Sequence, residues 1–188
     1  MWFTILLSFL TLPSQTKEYD SMNFYSITSR TEEGVRVYTL KDSKTETEVE
    51  VVPELGNTCI GFRQTLKGEC VELMEPVPSI DKIRERPSGF GNPILFPFPN
   101  RVRDGKYTFE GKTYEFKEKT TRGNSIHGLV YTRPWHVESA DASEDGAKLV
   151  SLFEMSDFPG LEEQYPFPFE LSVTYILKDG VLFFEVHV

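Results

Sequence analysis

Apolar and polar side chains alternate with a period of two through most of this chain, the spacing of half-buried strands. Tyr and Phe, together with β-branched residues, supply many of the apolar positions, and their shape suits a pleated surface. Asn23–Ser29, Val35–Leu40 and Thr47–Val52 form three such runs, divided by Glu33-Gly34 and Asp42-Ser43, and predict an antiparallel meander. Pro53-Glu-Leu-Gly-Asn57 interrupts the third run. The alternation resumes in Thr58–Phe62 and Cys70–Met74 about Lys67-Gly68. Lys106–Phe116 alternates about Glu110-Gly111, and Phe169–Val188 about Asp179-Gly180; both predict hairpins with tight turns. Ala147–Met155 is a further strand. No segment supports a helix longer than about two turns. The charged run Asp81–Arg86 is expected to be a solvated loop or one helical turn. Many short strands without strand–helix alternation predict an all-β sandwich or barrel.

The central stretch Gly89–Trp135 departs from plain alternation, and the candidate chemistry lies there. In Pro93-Ile-Leu-Phe-Pro-Phe-Pro-Asn-Arg101, Pro97 and Pro99 lack an N–H and push the preceding phenylalanines toward extended backbone. This stiff segment delivers Asn100 and Arg101, whose amide and guanidinium supply several donors and one acceptor, suited to gripping sugar hydroxyls. An arginine capping a surface turn would carry the same local signature. In Arg122-Gly-Asn-Ser-Ile-His-Gly128, loop formers flank His127, so the backbone can turn and offer the imidazole to a cleft. There it would orient a hydroxyl or move a proton near neutral pH; a structural histidine is the competing reading. Trp135, Phe96 and Phe98 are candidates for stacking on a sugar face or for the core. His136 and His187 are expected to be structural.

With 188 residues the chain suits one domain or a large part of one. A net charge of −9 argues against nucleic acid or an anionic membrane surface as partners, and favours a neutral or small polar ligand. The two cysteines, Cys59 and Cys70, are too few for a disulfide framework and are expected to be buried free thiols. The three histidines are too scattered for a metal site, and no phosphate loop, GxSxG elbow or HExxH motif occurs. The run Met1–Leu12 has the length of a signal-peptide core but no preceding Lys or Arg. Residues 1–21 are therefore either an apolar leader, with export, or a misassigned extension, with translation from Met22 and a cytoplasmic protein. The fold is assigned to residues 22–188.

Together, Gly91–Arg101, Asp104-Gly105 followed by Tyr107, Phe109, Gly111 and Tyr114, and Asn124-Ser-Ile-His-Gly128 closed by Trp135 resemble the aldose 1-epimerases, or galactose mutarotases. The resemblance extends over Val35–Val188. It implies an antiparallel β-supersandwich, truncated here on its C-terminal side, acting on a free hexose without cofactor or metal. It implies that Asn100, Arg101 and His127 bind substrate. The reaction it implies interconverts α and β anomers by acid- and base-assisted ring opening. The proton-donating histidine of a His-Pro-Tyr-Phe-like motif and the late glutamate of that family are expected beyond Val188, so no catalytic residue is assigned within the chain and this stretch alone is expected to be inactive. An unpaired sheet edge follows. Two alternatives are a hexose-6-phosphate epimerase, with Arg84 and Arg86 as phosphate ligands, and a non-catalytic carbohydrate-binding protein.

Overall fold

The computed structural model describes residues 23–188. The apolar run at the N-terminus, and with it both readings of residues 1–21, lies outside the described residues. The first sheet contains β1 (Tyr25–Glu32), β2 (Val35–Asp42), β3 (Thr47–Val52), β4 (Thr58–Leu66) and β5 (Glu69–Glu72) in sequence order, each pair antiparallel. The short connections made by Glu33-Gly34 and Lys67-Gly68 place Glu33 and Lys67 at positive φ, as tight hairpin turns require.

Residues on β2 and β3 are buried on both faces of this sheet. Leu40, Val49 and Val51 enter the main core, whereas Val35, Val37 and Val52 form a second cluster with Ile80 and Ile83. The isoleucines come from α1 (Ile80–Glu85), whose first turn is capped by the Ser79 side chain. The charged run is therefore a short amphipathic helix. Its two apolar residues, three apart, share one face while Asp81, Lys82, Arg84 and Glu85 stay exposed.

A central region follows, built from two small two-stranded units. One pairs β6 (Arg101–Val102) with a distant strand in the loop that follows the hairpin; the other is the hairpin β7 (Lys106–Phe109) and β8 (Lys112–Glu115), turning at Glu110-Gly111. The partner of β6 is β9 (Ser125–Ile126). The second large sheet has the order β10 (His136–Ser143), β11 (Gly146–Glu154), β12 (Glu170–Lys178) and β13 (Val181–His187), again antiparallel. Between β11 and β12 lies α2 (Leu161–Gln164). Its Gln164 carbonyl accepts the Tyr107 hydroxyl at 3.0 Å, and its side-chain oxygen accepts the Lys117 N–H at 2.8 Å, which ties the central hairpin and the residues just after it to α2.

The two sheets share one core. β2 lies against β11 and β12, and Leu40, Val49, Leu149, Phe153, Leu171, Val173 and Tyr175 are enclosed between them. The Tyr175 hydroxyl is satisfied by the Asn57 carbonyl at 2.7 Å, so this buried aromatic adds a polar bridge between sheets. Asp42, fully enclosed at the end of β2, accepts N–H groups from Lys44 at 3.0 Å, Thr45 at 3.3 Å and, from the opposite sheet, Gly180 at 2.9 Å.

The all-β antiparallel class matches the expectation from residue alternation. β10 is a strand that alternation does not reveal: His-Val-Glu-Ser-Ala-Asp-Ala-Ser is polar and rich in poor strand formers. It forms because it is an edge held by β11, with a register shift between Val137 and Ser139. The expectation of two buried thiols is corrected: Cys59 is buried, but Cys70 is exposed, because β5 is the short edge of the first sheet. On the opposite edge of the second sheet, β13 leaves Val181, Phe183, Phe184 and Val186 substantially exposed. Among the described residues, no helix is long and apolar enough to cross a membrane.

Candidate functional site

Asn100, Arg101 and His127 meet on one surface because β6 and β9 pair. Arg101 lies opposite Ile126 and Val102 opposite Ser125, so Asn100 and His127 flank the ladder as its next pair. Both have left-handed backbone, with φ of 58° at Asn100 and 64° at His127, conformations that L-residues other than glycine rarely adopt. The ladder consequently continues in altered form. The His127 N–H donates to the Asn100 carbonyl at 2.8 Å, and the Asn100 N–H is met by Nδ1 of the imidazole at 3.1 Å.

Each side of this pair is anchored. On the His127 side, Gly128 makes a parallel bridge to Phe96 and has φ of 80°; a Cβ at that position would lie 2.0 Å from the Phe96 carbonyl oxygen. The next residue, Leu129, donates its N–H to that oxygen at 2.7 Å. Only glycine fits so close an approach of two backbones. On the Asn100 side, the segment is held by Phe96 against Phe169 and Phe98 against Phe116, with ring centroids 4.8 and 4.9 Å apart. Both phenylalanines are half-buried and pack against the main core. Trp135 is buried, its indole N–H directed at the Val130 carbonyl at 3.3 Å.

The donors and acceptors of the site are set by these contacts. Arg101 donates to the Asn100 side-chain oxygen at 3.0 Å. A guanidinium only donates, so the Asn100 amide is oriented with its NH2 left for a ligand. His127 accepts at Nδ1, so its neutral form carries the proton on Nε2. Partial burial lowers its pKa below the usual histidine value, and the positive charge of Arg101 lowers it further. The neutral Nε2–H tautomer is favoured near pH 7, and no described residue accepts from Nε2. Asn100 and Arg101 are exposed and His127 is half-buried.

Sequence reading does not single out Tyr131, four residues after His127. Its ring meets the imidazole at 85° with centroids 5.9 Å apart. Burial raises its phenol pKa, and Glu118 adds to the rise. The only local signal is an aromatic residue inside a loop, which core packing explains equally well.

Other candidates stand apart. His136 pairs through Nε2 with Asp157 at 2.8 Å, and His187 lies on edge strand β13. Arg84 is engaged by the Asp81 carboxylate and the Glu33 carbonyl, both at 2.6 Å, and Arg86 lies over the Phe90 ring at 5.8 Å. Among the described residues, no three His, Cys, Asp or Glu side chains gather as a metal site would require. A cleft of about 570 Å³, which includes Glu154, Glu162, Phe169 and Glu170, does not include Asn100, Arg101 or His127.

Comparison with known proteins joins this geometry to a family. A galactose mutarotase-like protein of Clostridium acetobutylicum has the same fold, with a TM-score of 0.72 at 22% identity over 84% of this chain and 47% of its own. For galactose 1-epimerase of Lactobacillus acidophilus NCFM, the TM-score is 0.62 at 17% identity, over 84% of this chain and 45% of that one. An uncharacterized protein of Escherichia coli K12, YihR, is 32% identical over 101 residues, which are 52% of this chain and 29% of that protein. The chain thus spans less than half the length of each of these relatives. The sequence profile described as aldose 1-epimerase matches residues 36–188, from within β2 through the whole of the candidate site, and on that match the chain belongs to the aldose 1-epimerase family.

Proposed function

We propose that Asn100, Arg101 and His127 bind a free hexose, and that this chain contributes the substrate-gripping side of an aldose 1-epimerase site that interconverts α and β anomers. The observation that carries this reading is the paired hydrogen bonding of Asn100 and His127, with Arg101 on the Asn100 amide. It leaves a cluster composed chiefly of N–H donors: the Asn100 NH2, the His127 Nε2–H and the remaining guanidinium N–H groups. Oxygen lone pairs of a polyhydroxylated ligand complement such a cluster. A neutral imidazole adds no charge that would require an anionic ligand.

Anomer exchange needs a proton delivered to the ring oxygen and another removed from the C1 hydroxyl, so that the ring opens to the aldehyde and closes on either face. His127 is assigned to binding because its Nδ1 already accepts a main-chain proton and its Nε2 is a donor. The acid and base are assigned to a His-Pro-Tyr-Phe-like motif and a late glutamate beyond Val188. The polypeptide of residues 1–188 therefore binds hexose without accelerating mutarotation.

Titrating the isotope-labelled chain with glucose, galactose and their 6-phosphates tests this reading. Saturable shifts of the Asn100 side-chain NH2 and the His127 ring resonances with the free sugars are expected. Preference for a phosphate ester moves the assignment to a hexose-6-phosphate epimerase; an absence of shifts at high sugar concentration defeats it. Polarimetry on a polypeptide extended through the two downstream motifs separates an epimerase from a carbohydrate-binding protein, for which bound sugar would scramble no faster than in buffer.

A further inference from the structure

Tyr131 is fixed before it reaches the imidazole. It occupies a turn closed by the Arg133 N–H donating to the Val130 carbonyl at 3.2 Å. The loop between β3 and β4 grips that turn from outside. Gly56 donates its N–H to the Arg133 carbonyl at 3.0 Å, and Trp135 donates its N–H to the Pro53 carbonyl at 3.1 Å. Gly56 itself has φ of 69°, and a Cβ added there would lie 2.0 Å from the Tyr131 carbonyl oxygen. Buried Val130 and Trp135 bracket the turn. The Arg133 guanidinium folds back onto the Leu129 carbonyl and pairs with Glu118 at 2.6 Å. These contacts hold the main chain from which the Tyr131 ring projects.

The imidazole has few other constraints. Nδ1 has one hydrogen bond, from the Asn100 N–H, and a ring flip would exchange that nitrogen for a carbon. The edge-to-face contact with Tyr131 opposes turning the ring out of its plane, the movement through which any flip must pass, since aromatic pairs favour edge-to-face or offset packing over a face-to-face sandwich. We propose that Tyr131 is a positioning residue for His127, holding the ring so that Nδ1 accepts from Asn100 and Nε2–H is presented to a ligand oxygen. The inference rests on the sugar-binding reading for the ligand's identity alone; the ring geometry stands in the free protein.

The test uses the ligand-free chain of residues 1–188. In the wild type, cross-relaxation between Tyr131 and His127 ring protons is expected, with imidazole nitrogen shifts of a single Nε2–H tautomer. Tyr131→Phe keeps both. Tyr131→Ala and Tyr131→Leu mix the tautomers and weaken hexose binding about threefold to tenfold, the value of one aromatic contact, while Tyr131→Phe stays within about twofold. Absent ring-to-ring cross-relaxation in the wild type overturns the proposal, whether or not the alanine variant folds. Unchanged tautomer and affinity in a folded Tyr131→Leu variant also overturn it. If the tautomer responds but no sugar binds the wild type, the positioning role stands and the hexose reading fails. Nearby charges that bear on the titration are Arg101 and, behind Tyr131, the Glu118–Arg133 pair.

Discussion

The main-chain N–H of Asn100 donates to Nδ1 of His127 at 3.1 Å, while the His127 N–H returns a bond to the Asn100 carbonyl at 2.8 Å. The Asn100 main chain thus specifies which ring nitrogen of His127 accepts. Left-handed backbone at both residues makes this possible, because it turns the Asn100 N–H away from the carbonyl that a regular ladder would offer.

Acid should loosen this pair. Burial and the nearby Arg101 charge lower the His127 pKa, so the folded state prefers the neutral ring. For such a group the stability contribution is present above the unfolded value of about 6.5 and is lost as pH falls through the lower folded value. Protonation places a hydrogen on Nδ1, opposite the Asn100 N–H. Hexose affinity is expected to fall over the same interval. Imidazole titration by NMR beside sugar titration at several pH values checks this; an affinity independent of pH through the His127 transition contradicts it.

Gly128→Ala should damage the site and the fold together. The new Cβ would sit 2.0 Å from the Phe96 carbonyl oxygen in a backbone with φ of 80°, so the two segments must separate. Strain and overpacking of this kind cost at least about 2 kcal/mol. Urea denaturation measures the loss, and loss of the wild-type His127 shifts reports displacement of the loop. Gly111→Ala is the control, since a Cβ there meets nothing within 4 Å and only the positive φ is strained.

The contrast between these glycines shows what the chain discloses before its structure is known. Period-two alternation marks β1 to β4 and both hairpins because successive side chains of a strand point to opposite faces of its sheet, which meet different surroundings. β10 escapes notice because an edge strand with few apolar side chains is held mainly by main-chain bonds to β11. At the site, the proline-stiffened segment and the glycine beside His127 mark the two loops that the pairing of β6 with β9 brings together. The pairing of β6 with β9 joins residues separated by a whole hairpin, which local spacing cannot supply. Tyr131 is hidden for the same reason: its role depends on Gly56, which lies far away in sequence.

The two cysteines should differ sharply in reactivity. Burial pushes the Cys59 thiol up to about 12, and its sulfur lies 3.7 Å from that of Met74, out of reach of reagents. Cys70 is exposed on β5. Because the thiolate is the reacting species, a disulfide reagent at pH 8 is expected to label one thiol per native chain and two in denaturant. Peptide mapping should place the first label on Cys70, and native labelling of Cys59 would contradict the placement of β4 in the core.

Asp42 should couple the ends of the two sheets in a pH-dependent way. Burial works to raise its pKa, but hydrogen bonds from Thr45, Gly180 and Lys44 outweigh it and hold the carboxyl below the usual range. The bond from Gly180 crosses from the turn between β12 and β13 to the end of β2. In Asp42→Asn, one carboxylate oxygen becomes an NH2 that faces a main-chain donor, a mismatch worth about 1–3 kcal/mol. A carboxyl with a lowered folded pKa stabilises above its unfolded value, about 3.9, and that contribution is lost as pH falls through the folded value. The stability gap between wild type and Asp42→Asn in urea titrations is therefore expected to be full at pH 7 and to shrink on acidification below pH ~4. A gap of equal size at every pH would mean that the aspartate acts through shape alone and that its charge contributes nothing to the junction.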